Sequence, residues 1–272
     1  GDAGKADLLD RKVAEKAGFE KRLLVSGQTY TRKQDALVLA AVSGLAGSAS
    51  KFAHDLRFLQ HMKEVEEPFG AKQVGSSAMP YKRNPMKCER MNALSRWILT
   101  TAENGGWTHA TQWLERTLDD SANRRLALAE SFLAADALLV LWEAVVTGLV
   151  VHPAVIRRRL AEELPFLATE NVLMAAVGKG GDRQALHERI RVYAQAAGDR
   201  LKAEGGENDL LDRIAADSAF RLTRAEVAAA ADPRIFVGRA PQQVEEFLST
   251  EVDPLLAAHG AALAGSAVEV TV

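Results

Sequence analysis

The chain's 272 residues are 47% hydrophobic and 26% charged, enough apolar material for one large core or two ordinary ones. A formal net charge of −2 gives no basis for a nucleic-acid or anionic-membrane partner. The single cysteine, Cys88, excludes an internal disulfide and fits a reducing, cytoplasmic setting.

Gly1-Asp2-Ala3-Gly4 opens directly into a charged helical segment with no secretory leader pattern. Residues 31–66 place Leu37, Ala41, Leu45, Ser48, Phe52, Leu56 and Leu59 at steps of three or four, the seam of a packed helix. Such a helix runs roughly 50 Å at about 1.5 Å per residue. Gly44, Gly47 and Ser48 within it would let a neighbouring helix come close. A second helix is predicted over 85–103, with Asn84 as N-cap and Pro85 in the first position. A third, over 121–151, is almost wholly apolar at its centre. Glu130, Asp136 and Glu143 make it a buried helix rather than a membrane span. Three long helices with little strand signal give an all-α bundle. After His152-Pro153 the helices shorten: 153–163, 169–178, 182–204, 208–217, 223–231, and a last one from 241 past 256. Breaks are expected at Pro165, at Gly178-Lys179-Gly180-Gly181, at Gly205-Gly206 and at Pro233. The change in helix length divides the chain into 1–151, a long-helix bundle, and 152–272, a smaller all-helical domain.

Between the first two long helices lies Gly75-Ser76-Ser77-Ala78-Met79-Pro80-Tyr81-Lys82-Arg83-Asn84-Pro85. It has no apolar periodicity, yet it concentrates hydroxyls, cations and an amide where no core needs building. That pattern points to a ligand. Lys82 and Asn84 could steady a developing anion, with backbone N–H groups at the start of the following helix adding to them. Glycines at 70 and 75 suit a mobile flap. Taken alone, Ser76 and Ser77 read equally as turn caps. A second concentration, Glu115-Arg116-Thr117-Leu118-Asp119-Asp120-Ser121-Ala122-Asn123-Arg124-Arg125, enters a helix capped near Asp120 or Ser121. Ser121 and Arg125 share a face there. A phosphate at that start would meet the Ser121 hydroxyl, free amides and two guanidinium groups. Taken alone, the same segment is also a surface Arg–Asp network. The six histidines, His54, His61, His109, His152, His187 and His259, show no metal-ligand spacing, so no metal site is expected and surface or capping roles are. Gly178-Lys179-Gly180-Gly181 reads as a helix–helix turn, and Cys88 as a small apolar filler.

These stretches resemble the fumarase/aspartase superfamily of fumarate-releasing lyases, and the Ala78-Met79-Pro80-Tyr81-Lys82-Arg83 version resembles its adenylosuccinate lyase branch. Ser26-Gly27-Gln28-Thr29-Tyr30-Thr31-Arg32-Lys33, Glu163-Leu164-Pro165-Phe166, Thr169-Glu170-Asn171, Gly238-Arg239-Ala240 and Gln242-Gln243-Val244 agree with it. The resemblance implies elimination of fumarate from adenylosuccinate, giving AMP, and from the succinylated imidazole-carboxamide ribonucleotide, without metal or organic cofactor. It assigns Ser76 as base and Lys82 and Asn84 to the substrate carboxylate, and has Glu89 orient a histidine. Gln28, Ser77, Met79 and Arg90 contact substrate, and Arg116, Ser121 and Arg125 grip the phosphate. Glu89 could instead be a surface glutamate pairing with Arg90, and Gln28 part of a helix-opening turn. The family assembles as a homotetramer with shared sites, which would bury the apolar surplus of 126–150. By the same resemblance roughly the first two fifths of the usual polypeptide, with its acid histidine, lie outside this chain, so the chain alone is expected to be inactive. Two alternatives stand: a sister lyase of the argininosuccinate or carboxymuconate type, needing no phosphate grip, and a non-catalytic helical assembly module.

Overall fold

The computed structural model describes residues 1–70 and 73–263. They fall into two compact units, Gly1–Val151 and one beginning at His152. The first opens with α1 (Ala3–Lys16), capped by the Asp2 carboxylate, which accepts from the Gly4 and Lys5 N–H groups. Then come α2 (Lys33–His61), β1 (Val65–Glu66), α3 (Met86–Thr101), α4 (Glu103–Ala110), α5 (Asp119–Thr147) and β2 (Val150–Val151). The α2 helix packs on α3, α4 and α5, and α3 packs on α5. Small residues make this close packing possible: Ala46, Ala49 and Ala53 of α2 are completely buried beside Cys88, Met91 and Ile98 of α3 and Leu138 and Val145 of α5.

Several expectations need correction. The helix predicted to reach residue 66 stops at His61. Lys63 takes a left-handed backbone (φ 62°), and Val65 and Glu66 pair antiparallel with Val151 and Val150. The predicted helix over 85–103 begins one residue later and divides at Ala102, leaving α4 as a separate element that sequence periodicity did not disclose. Gly105 explains why α4 sits where it does: a Cβ there would lie 2.8 Å from Ala36 Cα and 3.0 Å from a Leu39 methyl. Gly44 and Gly47, by contrast, face open space, so among the described residues no helix approaches α2 through them. The α5 helix is only partly buried, and Leu126, Phe132, Leu133, Leu139 and Val146 are exposed.

The second unit holds α6 (Pro153–Leu167), α7 (Thr169–Gly178), α8 (Arg183–Glu204), α9 (Leu210–Ala216) and α10 (Arg224–Ala230). Val172, Leu173, Ala176, Leu186, Leu210, Ile214, Phe220 and Val227 form its core. Pro165 does not break α6. It lies in the last turn, where only one donor is lost and little helix remains to be kinked. Beyond it α11 (Ala240–Phe247), a π-helical turn at Leu248–Val252 and α12 (Asp253–Leu263) follow one another without interruption.

Candidate active site

Residues 73–85, ahead of α3, form a loop with a tied neck. Asn84 Nδ2 donates to the Gly75 carbonyl at 2.7 Å, and the Lys82 N–H donates to Met79 O at 2.9 Å. Strands of the neck cross so closely that a Cβ on Gly75 would sit 1.9 Å from the Lys82 carbonyl oxygen, so only glycine fits. Within the tip, half-buried Ser76 accepts the Met79 N–H on its Oγ at 3.2 Å, while Ser77, Met79 and Lys82 are exposed. The tip therefore leaves Ser77 and Lys82 exposed, whereas Ser76 is half-buried and Asn84 is engaged inside the neck.

Below the neck stands a residue that the sequence did not single out. Glu67 is 2% exposed, and its carboxylate accepts the N–H groups of Lys87 (3.0 Å) and Cys88 (2.9 Å) in the first turn of α3. The Gln60 amide oxygen accepts the Glu67 N–H at 3.1 Å, and Lys87 Nζ donates to the Pro68 carbonyl at 2.9 Å. This corrects the expectation that the α3 start offers free amides to a substrate anion: an internal carboxylate already lies on the positive end of the helix. It also corrects the cap. Pro85 holds the N-cap position with no side-chain bond, because Asn84 turns back to Gly75. Burial and the nearby Glu67 carboxylate push the Cys88 thiol far above its ordinary range, which makes it inert packing rather than a nucleophile.

A cleft of about 640 Å³ beside the neck brings Asn84 and Glu89 together with His54, Arg57, Gln60 and Arg83. Arg57 donates to Asn92 Oδ1 at 2.9 Å and lies 3.9 Å from Glu89. Asn92 Nδ2 in turn meets the Ser50 carbonyl at 3.0 Å and a His54 ring nitrogen at 2.9 Å. The His54 and Arg57 pair on α2 and the Glu89 and Asn92 pair on α3 are each three residues apart, a facing polar ladder whose spacing could have flagged it. Arg90 is exposed on the first turns of α3.

The second concentration forms a separate cavity of about 550 Å³, where Gln28 meets Arg116, with Trp113, Thr117 and Leu118 completing the lining. The two clefts share no lining residue. Ser121, half-buried, and Arg125, exposed, lie one turn apart on α5, just past Leu118. The expected free amides are again partly used: the Asp120 N–H donates to Asp119 Oδ1 at 2.9 Å and the Ser121 N–H to Leu118 O at 3.2 Å. Hydrogen bonding from the Thr117 side chain holds the Asp119 carboxyl below its ordinary value. Arg124 turns away from this cavity to Asp35 and the Tyr30 hydroxyl. Burial, followed by Asp35, raises the Tyr30 phenol. Among the described residues no cluster of His, Cys, Asp and Glu has metal-binding geometry.

Comparison with known proteins matches residues 7–99 to the family profile "Lyase" and residues 165–247 to "Adenylosuccinate lyase C-terminus". The adenylosuccinate lyase of Saccharomyces cerevisiae is 50% identical over 94% of this chain and 53% of its own length. That of Schizosaccharomyces pombe is 46% identical over 94% and 53%, and that of Schistosoma mansoni 44% over 94% and 54%. The chain thus spans about half the length of the curated relatives it matches. Among solved structures, 3-carboxy-cis,cis-muconate lactonizing enzyme from Pseudomonas putida superposes with a TM-score of 0.73 at 22% identity, covering 91% of this chain and 53% of that one. A fumarate lyase from Mesorhizobium sp. BNC1 gives 0.71 at 21%, covering 88% and 52%. These last two show the all-helical fold alone. Over 94% of its length the chain is thus similar to about half of an adenylosuccinate lyase, with its first part matching the lyase profile and its last part the adenylosuccinate lyase C-terminal one.

Proposed function

We propose that the chain supplies about half of an adenylosuccinate lyase subunit. The whole enzyme releases fumarate from adenylosuccinate, giving AMP, and from the succinylated imidazole-carboxamide ribonucleotide, giving AICAR, in cytoplasmic purine biosynthesis. The two units are its bundle domain and its C-terminal domain. Ser76 Oγ takes the proton from the succinyl carbon next to a carboxylate, the electron pair forms the fumarate double bond, and the C–N bond breaks. The departing nitrogen takes its proton from an acid outside this chain. Lys82, with Asn84 once released from Gly75, holds the carboxylate whose charge grows as the proton leaves. Glu89 orients the acid, Ser77, Met79 and Arg90 contact the succinyl side, and Gln28 bonds the substrate. Arg116, Ser121 and Arg125 grip the 5′-phosphate. No cofactor is required by this scheme.

The observation that carries this reading is the meeting of Gln28 and Arg116, from segments far apart in sequence, in one nucleotide-sized cavity. That the flap lies on a different cleft supports a site completed by neighbouring subunits. So do the bare apolar side chains of α5, among them Phe132 at 52% and Leu133 at 66% exposure. In a homotetramer, helices of other subunits would cover them and the open Gly44–Gly47 face of α2.

The test joins the chain to the N-terminal half of the Saccharomyces cerevisiae relative and follows fumarate release by ultraviolet absorbance. Turnover of adenylosuccinate is expected from the joined protein, abolished by Ser76→Ala, and none from the chain alone. Turnover of argininosuccinate or a carboxymuconate, which carry no phosphate, in place of adenylosuccinate would overturn the assignment. Sedimentation should give a tetramer; a monodisperse monomer with full activity would refute the shared site.

A further inference from the structure

Two irregular segments carry Gln28 and Arg116, 27–32 ahead of α2 and 111–118 ahead of α5. Neither has a helical or sheet ladder to fix it, so something else must set the distance between Gln28 and Arg116. Contacts along the two segments do this in sequence. A Cβ on Gly27 would lie 3.2 Å from Glu115 Cα, so the backbones already touch there. Gln112 bridges them with its amide: Oε1 accepts the Arg32 N–H at 2.9 Å, and Nε2 donates to Tyr30 O at 3.3 Å. At the far end Arg32 Nε donates to Asp120 Oδ2 at 2.5 Å, with the two side chains only 7% and 4% exposed.

Such a buried pair is a poor source of stability, because removing both charges from water offsets most of their attraction. Its value lies in direction, since a guanidinium and a carboxylate in a dry site tolerate little displacement. Asp120 Oδ1 has no hydrogen-bond partner, so the carboxylate is held to Arg32 through one oxygen alone. Asp120 directly precedes Ser121, and Arg32 lies four residues after Gln28.

We propose that Arg32 and Asp120 are positioning residues for the phosphate end of the nucleotide: their buried bond sets the Gln28 segment against the Arg116–Ser121 turn and thereby governs nucleotide affinity. The inference rests on the lyase reading above. Neither residue touches substrate, and neither enters the proton transfers.

The joined enzyme, assayed with adenylosuccinate and titrated calorimetrically with AMP, tests it. Asp120→Asn removes the charge without changing shape, and the amide it places at the unpartnered oxygen position displaces no bond. Arg32→Lys keeps the charge and loses the directed N–H. Each should raise KM and the AMP Kd about tenfold while kcat stays within about threefold, the pattern of a misplaced binding group. Asp120→Glu with Arg32→Lys, which restores reach on one side as it shortens the other, should recover part of the affinity. A lower kcat at unchanged KM and Kd, the signature of a smaller folded fraction, would overturn the proposal. Arg116→Ala separates the two levels of inference. If it raises KM and Kd while Asp120→Asn and Arg32→Lys do not, only the positioning role is wrong. If it also leaves them unchanged, the phosphate grip itself is wrong.

Discussion

The two units bury different kinds of matter. Among the described residues, every buried polar or charged side chain lies in the first: Arg32, Asp35, Gln60, Glu67, Lys87, Asn92, Ser95, Thr101, Thr108, Asp120 and Ser131. In the second, the buried residues are apolar, and ion pairs such as Arg189–Asp217 and Lys179–Glu226 lie toward solvent. A buried polar group is costly unless bonded, and the hydroxyl oxygens of Ser95 and Ser131 are buried with no bonded partner. The first unit is thus organised around directed contacts near the two loops, and the second around packing. Substitutions should separate these regimes.

The largest expected effect is in the second unit. Phe220 is completely buried, so Phe220→Ala should cost roughly 3–5 kcal/mol as transfer and cavity terms combine. Calorimetric unfolding would show it; a loss no larger than that of a surface change would mean the core is looser than drawn. Next is Glu67→Ala in the first unit, which strips the acceptor from two buried N–H groups at about 1–3 kcal/mol each, or around 3 kcal/mol together. Glu67→Gln should cost about half as much, since one oxygen still accepts. Equal melting temperatures for wild type and both variants would remove Glu67 from beneath the flap.

Gly75→Ala sharpens the contrast in another way. The added methyl cannot coexist with the Lys82 carbonyl, so the neck must open, yet little buried area is lost. Turnover by the joined enzyme should fall about a hundredfold through misplacement of Ser76 and Lys82, with the melting temperature nearly unchanged. A variant of ordinary activity would show that the neck does not need to be closed.

How far all this was legible in the sequence follows the same division. The long helices announce themselves because α2 repeats apolar residues with the helical period, and the flap stands out because it has none. Hidden features depend on partners remote in the chain. Glu66 and Glu67 are adjacent and chemically identical, but only the second lies under α3, while the first pairs with Arg83 at the surface. The α4 helix exists because Gly105 fits against Ala36, and the β1–β2 pairing is two residues long, too short for any periodic signal. Arg32 and Asp120 look like ordinary members of polar runs until the fold buries them together.

The smallest effect concerns a surface device of the second unit. Thr223 caps α10, with its hydroxyl oxygen accepting the Glu226 N–H, while the Glu226 carboxylate accepts the Thr223 N–H at 2.8 Å. Lys179 Nζ reaches the same carboxylate at 2.5 Å. The bond to Lys179, then those from Thr223, lowers the Glu226 pKa from 4.5 to about 2. A carboxyl with a depressed folded-state pKa contributes stability that is full above its unfolded value and is lost as pH falls through the folded one. The contribution of Glu226 should therefore be complete above pH 4.5 and fade toward pH 2. Glu226→Gln should flatten that part of the acid limb while leaving the melting temperature at lower pH unchanged. Thr223→Ala should cost about 1 kcal/mol at neutral pH through the lost cap. Carboxyl titration by NMR measures Glu226 directly: an ordinary value would mean that solvent screens these bonds, and the second unit would then owe its stability to packing alone.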